Sequence, residues 1–201
     1  MRIWTVQDEA AFQELMEMGV YRADPSKIRV FEFEDWKNAY DWLVQEMENR
    51  IGPRPAGVTY PVWGHAVYEG EKKEPENRGF ASPGDIRVMI CAEIPDEEVV
   101  LTDFDRWLFR LSGDYIPDVH SSEEFDREWG RHASLPEDQK EKEKWESWQQ
   151  IFDTERTDDG FFQNGMYVQA TFWELRKEQI LYYKFFVEPE EEEEADEDDE
   201  E

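Results

Sequence analysis

One stretch of the chain, residues 86–94 with the sequence IRVMICAEI, is almost continuously apolar. Such a run is typical of a central β-strand covered on both faces, because a strand with one face in water alternates apolar and polar residues. A membrane-spanning helix needs about 18 consecutive apolar residues, and no apolar run of this chain approaches that length. We therefore expect a protein built around a buried β-sheet, and not one that crosses a membrane.

Helical and strand-like patterns surround this run. Residues 8–18 carry apolar side chains at helical spacing and stop at Gly19, a residue type that commonly ends helices. The clearest helix is residues 35–51, in which Asp35 is a suitable N-cap and one face is apolar. Further helices are predicted from Thr102, from Ser121 or Ser122, and from Pro136, and strands at residues 2–6, 20–22, 28–33, 60–68, 166–173 and 180–187. For 201 residues, this order predicts one α+β domain, with a mixed or antiparallel sheet and several flanking helices.

The net charge of −29 comes from two parts of the chain. Residues 188–201 contain 12 acidic residues and no basic one, and taking these from −29 leaves −17 on residues 1–187. A block of like charge is ordinarily solvated and without fixed structure. We therefore predict a folded domain at residues 1–187 and a disordered acidic tail at residues 188–201.

This acidity restricts the partners of the chain. A negative field repels phosphate groups and anionic lipids, which argues against direct nucleic-acid or membrane binding. Two explanations are open. One is adaptation to a salty cytoplasm, or simple solubility; the other is a decoy surface that mimics nucleic acid and occupies a basic protein partner. The N-terminus lacks the basic and apolar pattern of a signal peptide, so we expect a cytoplasmic location.

The familiar catalytic and cysteine-based signatures are missing from the sequence. The single Cys91 excludes an intramolecular disulfide and a cysteine zinc site, and we expect it to be a small core residue. The three histidines, His65, His120 and His132, are scattered without the spacing of metal ligands. There is no nucleophile elbow, P-loop or dinucleotide-binding glycine motif, so hydrolases and NTPases of the familiar kinds are excluded.

One metal site can be drawn from acidic residues alone. Glu93, Asp103 and Asp105 offer carboxylate oxygens, the ligands that Mg²⁺ prefers. The alternative is that Asp103 and Asp105 lie in the first turn of a helix, where acids favour the positive end of the helix dipole.

Three short segments place tryptophan beside a polar or acidic residue, at residues 60–64 (YPVWG), 102–107 (TDFDRW) and 169–175 (QATFWEL). Together with other parts of the chain they resemble the domain-of-unknown-function family 3841, a set of bacterial proteins. The further matching words are WTVQ at residues 4–7, AYDWLVQEM at 39–47, EIPDEEVV at 93–100 and WQQIFD at 148–153. The resemblance covers nearly all of residues 1–187 and implies no particular activity. It also implies an anion-binding loop of the type Pro-Asp-Leu-Arg, of which Arg78 keeps the position.

In outline, the order of elements also resembles that of ADP-ribosyltransferase-like domains. This resemblance implies an NAD-using transferase in which Glu174, near the end of a late strand, stabilises an oxocarbenium-like transition state as nicotinamide leaves. A regular strand would turn Gln169 to the face opposite Glu174. The remaining cofactor contacts implied are Thr5, Gln7, Arg22 and Arg50, with Tyr60 and Trp63 as an aromatic wall for the nicotinamide.

A second function class is also open, a non-catalytic module that binds a basic partner through its acidic surface. The two classes differ in what they would lose. An enzyme of the transferase type should lose turnover on Glu174→Gln and keep its fold, whereas a binding module should tolerate that change and lose affinity steeply with salt.

Overall fold

The computed structural model describes residues 1–27, 33–155 and 164–189. Its strands, in chain order, are β1 (Arg2–Asp8), β2 (Val20–Tyr21), β3 (Val62–Val67), β4 (Ile86–Glu93), β5 (Val100–Asp103), β6 (Val168–Phe172), β7 (Leu175–Arg176) and β8 (Ile180–Val187). Its α-helices are α1 (Glu9–Met18), α2 (Glu34–Ile51), α3 (Phe104–Leu111), α4 (Ser122–Ala133) and α5 (Glu137–Ser147), the last continued by a 3-10 turn at Trp148–Phe152. The predicted α+β class is confirmed.

Six of the strands form one sheet in the order β5-β6-β3-β1-β4-β8, with antiparallel neighbours throughout. The other two, β2 and β7, pair in a small antiparallel sheet of their own. β4 lies between β1 and β8, and its residues from Val88 to Ala92 are completely buried. The apolar run at residues 86–94 is therefore the inner strand that the sequence predicts.

The helix ends follow from local capping. The Asp8 carboxylate accepts a hydrogen bond from Ala11 N at 2.6 Å, and Gly19 ends α1 in the left-handed conformation, with φ of 79°. Two predicted caps are wrong, one by two residues and one by a single residue. Phe33 takes the N-cap position of α2, which leaves Asp35 in the first turn, and Asp103 replaces Thr102 as the cap of α3.

The two larger apolar clusters cover opposite faces of the large sheet. On one face, α1 packs Phe12 and Leu15 against β1 and β4. On the other, α2, α3 and the 3-10 turn pack Trp42, Trp107 and Trp148 near β5. Because side chains alternate between the faces of a strand, β1 and β4 also contribute to a third, smaller cluster, formed by Trp4, Met89 and Cys91 on the face opposite α1. Among the described residues, no helix combines the length and the apolar character needed to cross a bilayer.

β8 forms one outer edge of the sheet and carries a row of exposed apolar side chains. Phe185 is 50% exposed and Val187 is 60% exposed. On the sheet face that α1 covers, Tyr183 and Phe185 contact the Phe12 ring, with centroids 4.5 and 5.5 Å from it. This strand has the bounds that the sequence predicts, residues 180–187.

The folded part continues beyond the predicted boundary at residue 187. Glu188 is only 4% exposed, and its carboxylate accepts hydrogen bonds from the backbone N–H groups of Gly79 and Phe80. Its own backbone pairs with Gly84 and Asp85. Glu188 therefore belongs to the domain and not to the acidic tail, because it anchors the loop between β3 and β4. Residues 190–201 of the predicted tail lie outside the described residues, as do residues 28–32 of one predicted strand.

Candidate functional site

The three tryptophan-bearing segments meet on one face of the sheet. They supply β3, β5 with the start of α3, and β6, which lie next to one another in the order β5-β6-β3. Thr102 pairs with Gln169, and Gln169 pairs with His65 across the neighbouring ladder. Directly paired residues in antiparallel strands point to the same face, so these three side chains stand side by side. Trp63 stands two residues from His65 on that same face.

We call Thr102, Gln169, His65 and Trp63 the polar row. Each contributes one fully buried polar atom, namely Thr102 Oγ1, Gln169 Oε1, His65 Nδ1 and Trp63 Nε1. None of these four atoms has a hydrogen-bond partner within residues 1–27, 33–155 and 164–189. A buried polar atom left without a partner costs about 1–3 kcal/mol, so buried groups of this kind are normally satisfied. Four of them on three adjacent strands mark this face as a place for an additional polar group.

Aromatic rings enclose the polar row from two directions. The rings of Trp63, Trp107 and Tyr40 form a triangle, with centroid distances of 5.2 Å from Trp63 to Trp107, 5.6 Å from Trp63 to Tyr40 and 5.7 Å from Tyr40 to Trp107. The His65 ring contacts those of Phe80 and Tyr68, at centroid distances of 5.9 and 6.2 Å. The row is only partly covered, because Trp63, His65 and Gln169 keep part of their surface in solvent, whereas Thr102 is 0% exposed.

The hydrogen-bonding character of the row is mixed and uncharged. Burial lowers the pKa of His65, so its imidazole is neutral at pH 7 and offers one donor and one acceptor nitrogen. The indole N–H of Trp63 only donates, the carbonyl oxygen of Gln169 only accepts, and the Thr102 hydroxyl does both. This set suits a neutral group that both donates and accepts, such as a carboxamide or the edge of a heterocycle.

Glu174, the predicted catalytic carboxylate, lies at the bend between β6 and β7. Its Oε1 accepts from Arg22 Nε at 2.7 Å, and its Oε2 lies 3.8 Å from Arg176 Nη2. Because Tyr21 pairs with Leu175, Arg22 and Glu174 are the next residues along the β2–β7 ladder. The structure therefore brings the predicted residues Arg22 and Glu174 together, in an ion pair that continues the small sheet.

The other predicted cofactor residues are dispersed. Thr5 donates to Trp63 O at 2.6 Å and accepts from Gln7 at 2.7 Å, on the sheet face opposite the polar row. Tyr60 donates to Asp41 at 2.8 Å and packs beside Tyr40, so of these residues it comes nearest to the aromatic surround of Trp63.

The two remaining arginines are held elsewhere. The Arg50 guanidinium lies 3.6 Å from the Phe152 ring centroid and donates to Gln149 at 2.9 Å. Arg78 is exposed and pairs with Glu76 at 2.6 Å. Neither Arg50 nor Arg78 has a contact with the polar row among the described residues.

The three carboxylates of the metal hypothesis do not meet. Glu93 is exposed at the end of β4, which is four strand positions from β5, or roughly 19 Å at about 4.8 Å per strand. Asp103 caps α3 by accepting from Arg106 N at 3.1 Å, and it also accepts from Gly165 N at 3.0 Å. Burial raises the pKa of Asp103, and burial followed by the Asp103 charge raises that of Asp105. In the part of the chain that the structure describes, no group of three metal-binding side chains occurs.

Comparison with known families decides the classification. Residues 2–181 match the model of DUF3841, a domain of unknown function. The chain belongs to this family. No curated protein and no solved structure matched, so the outline resemblance to ADP-ribosyltransferase-like domains gains no support from them. The DUF3841 match includes all four residues of the polar row.

Sequence reasoning found Trp63 but missed the rest of the row. His65 is dismissed there for lack of a second histidine, Gln169 is set aside for facing away from Glu174, and Thr102 is taken for a helix cap. A usable signal was present in the alternation along the strands, since β3 and β6 place polar or amphipathic residues at every second position on one face.

Proposed function

We propose that this DUF3841 chain binds a small, uncharged, planar ligand at the polar row, of the kind found in nicotinamide or a nucleobase. The observation that carries the proposal is the group of four buried polar atoms without protein partners. An amide-type edge would accept a hydrogen bond from the Trp63 indole N–H and donate one to Gln169 Oε1. The surrounding aromatic rings favour a flat ligand, because ring stacking adds to the area that is buried.

A neutral ligand head is supported by the charges around the site. The row contains no ionised side chain at pH 7, and the chain as a whole carries a net charge of −29. A phosphate-rich ligand would therefore be repelled, unless a flexible part of it remained outside in solvent. This favours the nicotinamide or base portion over the pyrophosphate as the recognised group.

The transferase role of Glu174 stays a prediction. Glu174 follows Thr171, the partner of Trp63, by three residues, which is roughly 10 Å along a strand at about 3.3 Å per residue. Its carboxylate already binds Arg22 at 2.7 Å. The proposal therefore concerns binding at the polar row and does not require chemistry at Glu174.

The test is a titration of the full chain with nicotinamide, adenine and NAD, followed by calorimetry and by the imidazole NMR signals of His65. Trp63→Phe keeps an aromatic ring but removes the N–H donor, and Gln169→Leu removes the acceptor. Each change should weaken binding by roughly 2- to 10-fold, as expected for one neutral hydrogen bond of about 0.5–1.5 kcal/mol. Gln13→Leu, an exposed change of the same type on α1, is the matched control.

Equal affinities in Gln169→Leu, Trp63→Phe and the control would exclude the polar row as the binding site. If none of the three compounds perturbs His65 at millimolar concentration, this ligand class itself is wrong.

We propose a second function, a module for a basic protein partner, on the distribution of charge. The basic side chains at the surface are largely paired with carboxylates, as in Arg54 with Glu48, Lys73 with Glu69 and Arg131 with Glu143. The carboxylates that remain unpaired are then the groups that the surface offers to a basic partner. Affinity for polylysine should fall steeply between 50 mM and 500 mM salt and be unaffected by Trp63→Phe; a salt-independent affinity would contradict this function.

A further inference from the structure

A cleft of about 580 Å³ opens between α2, the end of α3 and α5. Three indole rings line it, those of Trp42, Trp145 and Trp148. Its volume lies within the range of about 300–1,000 Å³ that is usual for small-molecule sites. The polar row contributes no residue to it, so the cleft is a separate feature of the molecule.

The cleft contains a buried arginine without a contact ion pair among the described residues. Arg110 is only 3% exposed, and its guanidinium carbon lies 3.8 Å from the Trp148 ring centroid and 5.2 Å from that of Trp42. Its Nη2 donates to the main-chain oxygen of Asn38 at 2.9 Å. Its Nε is buried without an acceptor, and although the charge of Asp35 acts on Arg110 through space, among the described residues no carboxylate forms a contact ion pair with it.

A positive charge in this position needs an anion. Buried charges are almost always paired, because removing an ion from water without compensation costs several kcal/mol. Burial lowers the pKa of Arg110 to about 10, which leaves it charged at pH 7. Of the other cations, Lys144 also lines the cleft, but Glu141 already pairs with it at 2.6 Å.

We propose that this cleft binds a monocarboxylate with an apolar or aromatic body, its carboxylate on Arg110 and its body against the indole rings. The guanidinium group matches a carboxylate in shape and donates two parallel hydrogen bonds to it. The body of the ligand covers the apolar surfaces of Trp145 and Trp148.

The walls of the cleft select against more highly charged anions. Asp35 and Asp41 line it together with Glu141, so a dianion such as a phosphate monoester would meet three carboxylates for one unpaired guanidinium. A single carboxylate neutralises Arg110 with the least repulsion. A small free acid and the C-terminus of a peptide both offer a single carboxylate. They differ in that the rest of the peptide chain must extend out of the cleft into solvent.

The test compares three probes of the same shape on the full chain, namely phenylacetate, phenylacetamide and phenethylammonium, with the tryptophan indole N–H signals as the NMR readout. Phenylacetate should bind at least 10-fold more tightly than phenylacetamide, and Arg110→Met should abolish this difference. Acetyl-Gly-Phe and its C-terminal amide form a second pair of probes. If acetyl-Gly-Phe binds more tightly than both its amide and phenylacetate, the natural ligand is the C-terminus of a peptide.

Because Arg110→Met removes a packed side chain, a rim variant keeps the test decisive if that protein fails to fold. Asp35→Asn removes one repelling charge and should tighten phenylacetate several-fold without changing phenylacetamide. Asp126→Asn, an exposed change on α4, controls for the altered net charge. Equal affinities of phenylacetate and phenylacetamide, a preference for phenethylammonium, or the same response in both aspartate variants would each overturn the proposal.

Discussion

Replacing Glu188 by alanine should weaken the fold through a loop distant in sequence. The Glu188 carboxylate holds the backbone N–H groups of Gly79 and Phe80, and removing it leaves both donors without their acceptor. At about 1–3 kcal/mol for each unsatisfied group, with some relief from entering water, the free energy of unfolding should fall by roughly 2–4 kcal/mol. For a domain of this size the melting temperature should fall by about 4–16 °C.

The assay is urea and thermal unfolding of the full chain, with two further variants beside Glu188→Ala. Glu188→Gln keeps the size and one acceptor oxygen and should lose less stability than the alanine variant. Glu178→Ala removes an exposed carboxylate near β8 and should have little effect. Since Phe80 packs on His65, the alanine variant should also shift the His65 imidazole signals. If Glu188→Ala and Glu178→Ala unfold at the same temperature, Glu188 does not anchor the loop.

Three further predictions follow from single contacts. NMR titration of His65 should give a pKa below its ordinary 6.5, because burial favours the neutral ring. The free energy of unfolding should therefore decrease as the pH falls from 6.5 through the folded-state pKa. A pKa above 6.5 would contradict this burial. Glu174→Gln should lower the free energy of unfolding by about 1 kcal/mol, because the Arg22 pair is partly exposed, and a larger loss in urea unfolding would mean that the pair is better shielded than its geometry indicates. Gly64→Ala should cost roughly 1–3 kcal/mol in the same assay, since its Cβ would lie 2.6 Å from Ile3 Cγ2, and an unchanged midpoint would show that the sheet yields there at no cost.

Features set by neighbouring residues were predictable from the sequence. α1 runs between Asp8 and Gly19 because a capping carboxylate and a left-handed glycine act within one turn of the helix. Thr102 and Asp103 are both competent caps, so local chemistry alone could not choose between them. What decides is the pairing of Thr102 with Gln169, which turns its side chain onto the sheet.

The polar row could not be predicted from local pattern because it depends on strand order. His65 and Gln169 become neighbours only when β6 inserts between β5 and β3, a pairing of strands about a hundred residues apart. Glu188 was misplaced for a related reason. In the sequence, Glu188 is the first acidic residue of a charged run, which predicts that it is solvated. Its burial depends on contacts with a loop that ends more than a hundred residues earlier.

Among the described residues, the outer strand β8 has only two structural guards against another copy of itself, a register shift opposite Cys91 and Ala92 and the charged side chain of Lys184. A long, apolar edge with unpaired backbone groups is a template for adding a further strand, and natural proteins usually block it with a bulge, a proline or a covering loop. Here electrostatic repulsion adds to them, since two copies that each carry a net charge of −29 repel one another. Because the screening length shrinks from about 10 Å at 0.1 M salt to about 3 Å at 1 M, this repulsion weakens as salt is added. The salt concentration of the surroundings thus sets how readily β8 pairs with a second copy of the chain. Light scattering across a salt series would measure this self-association.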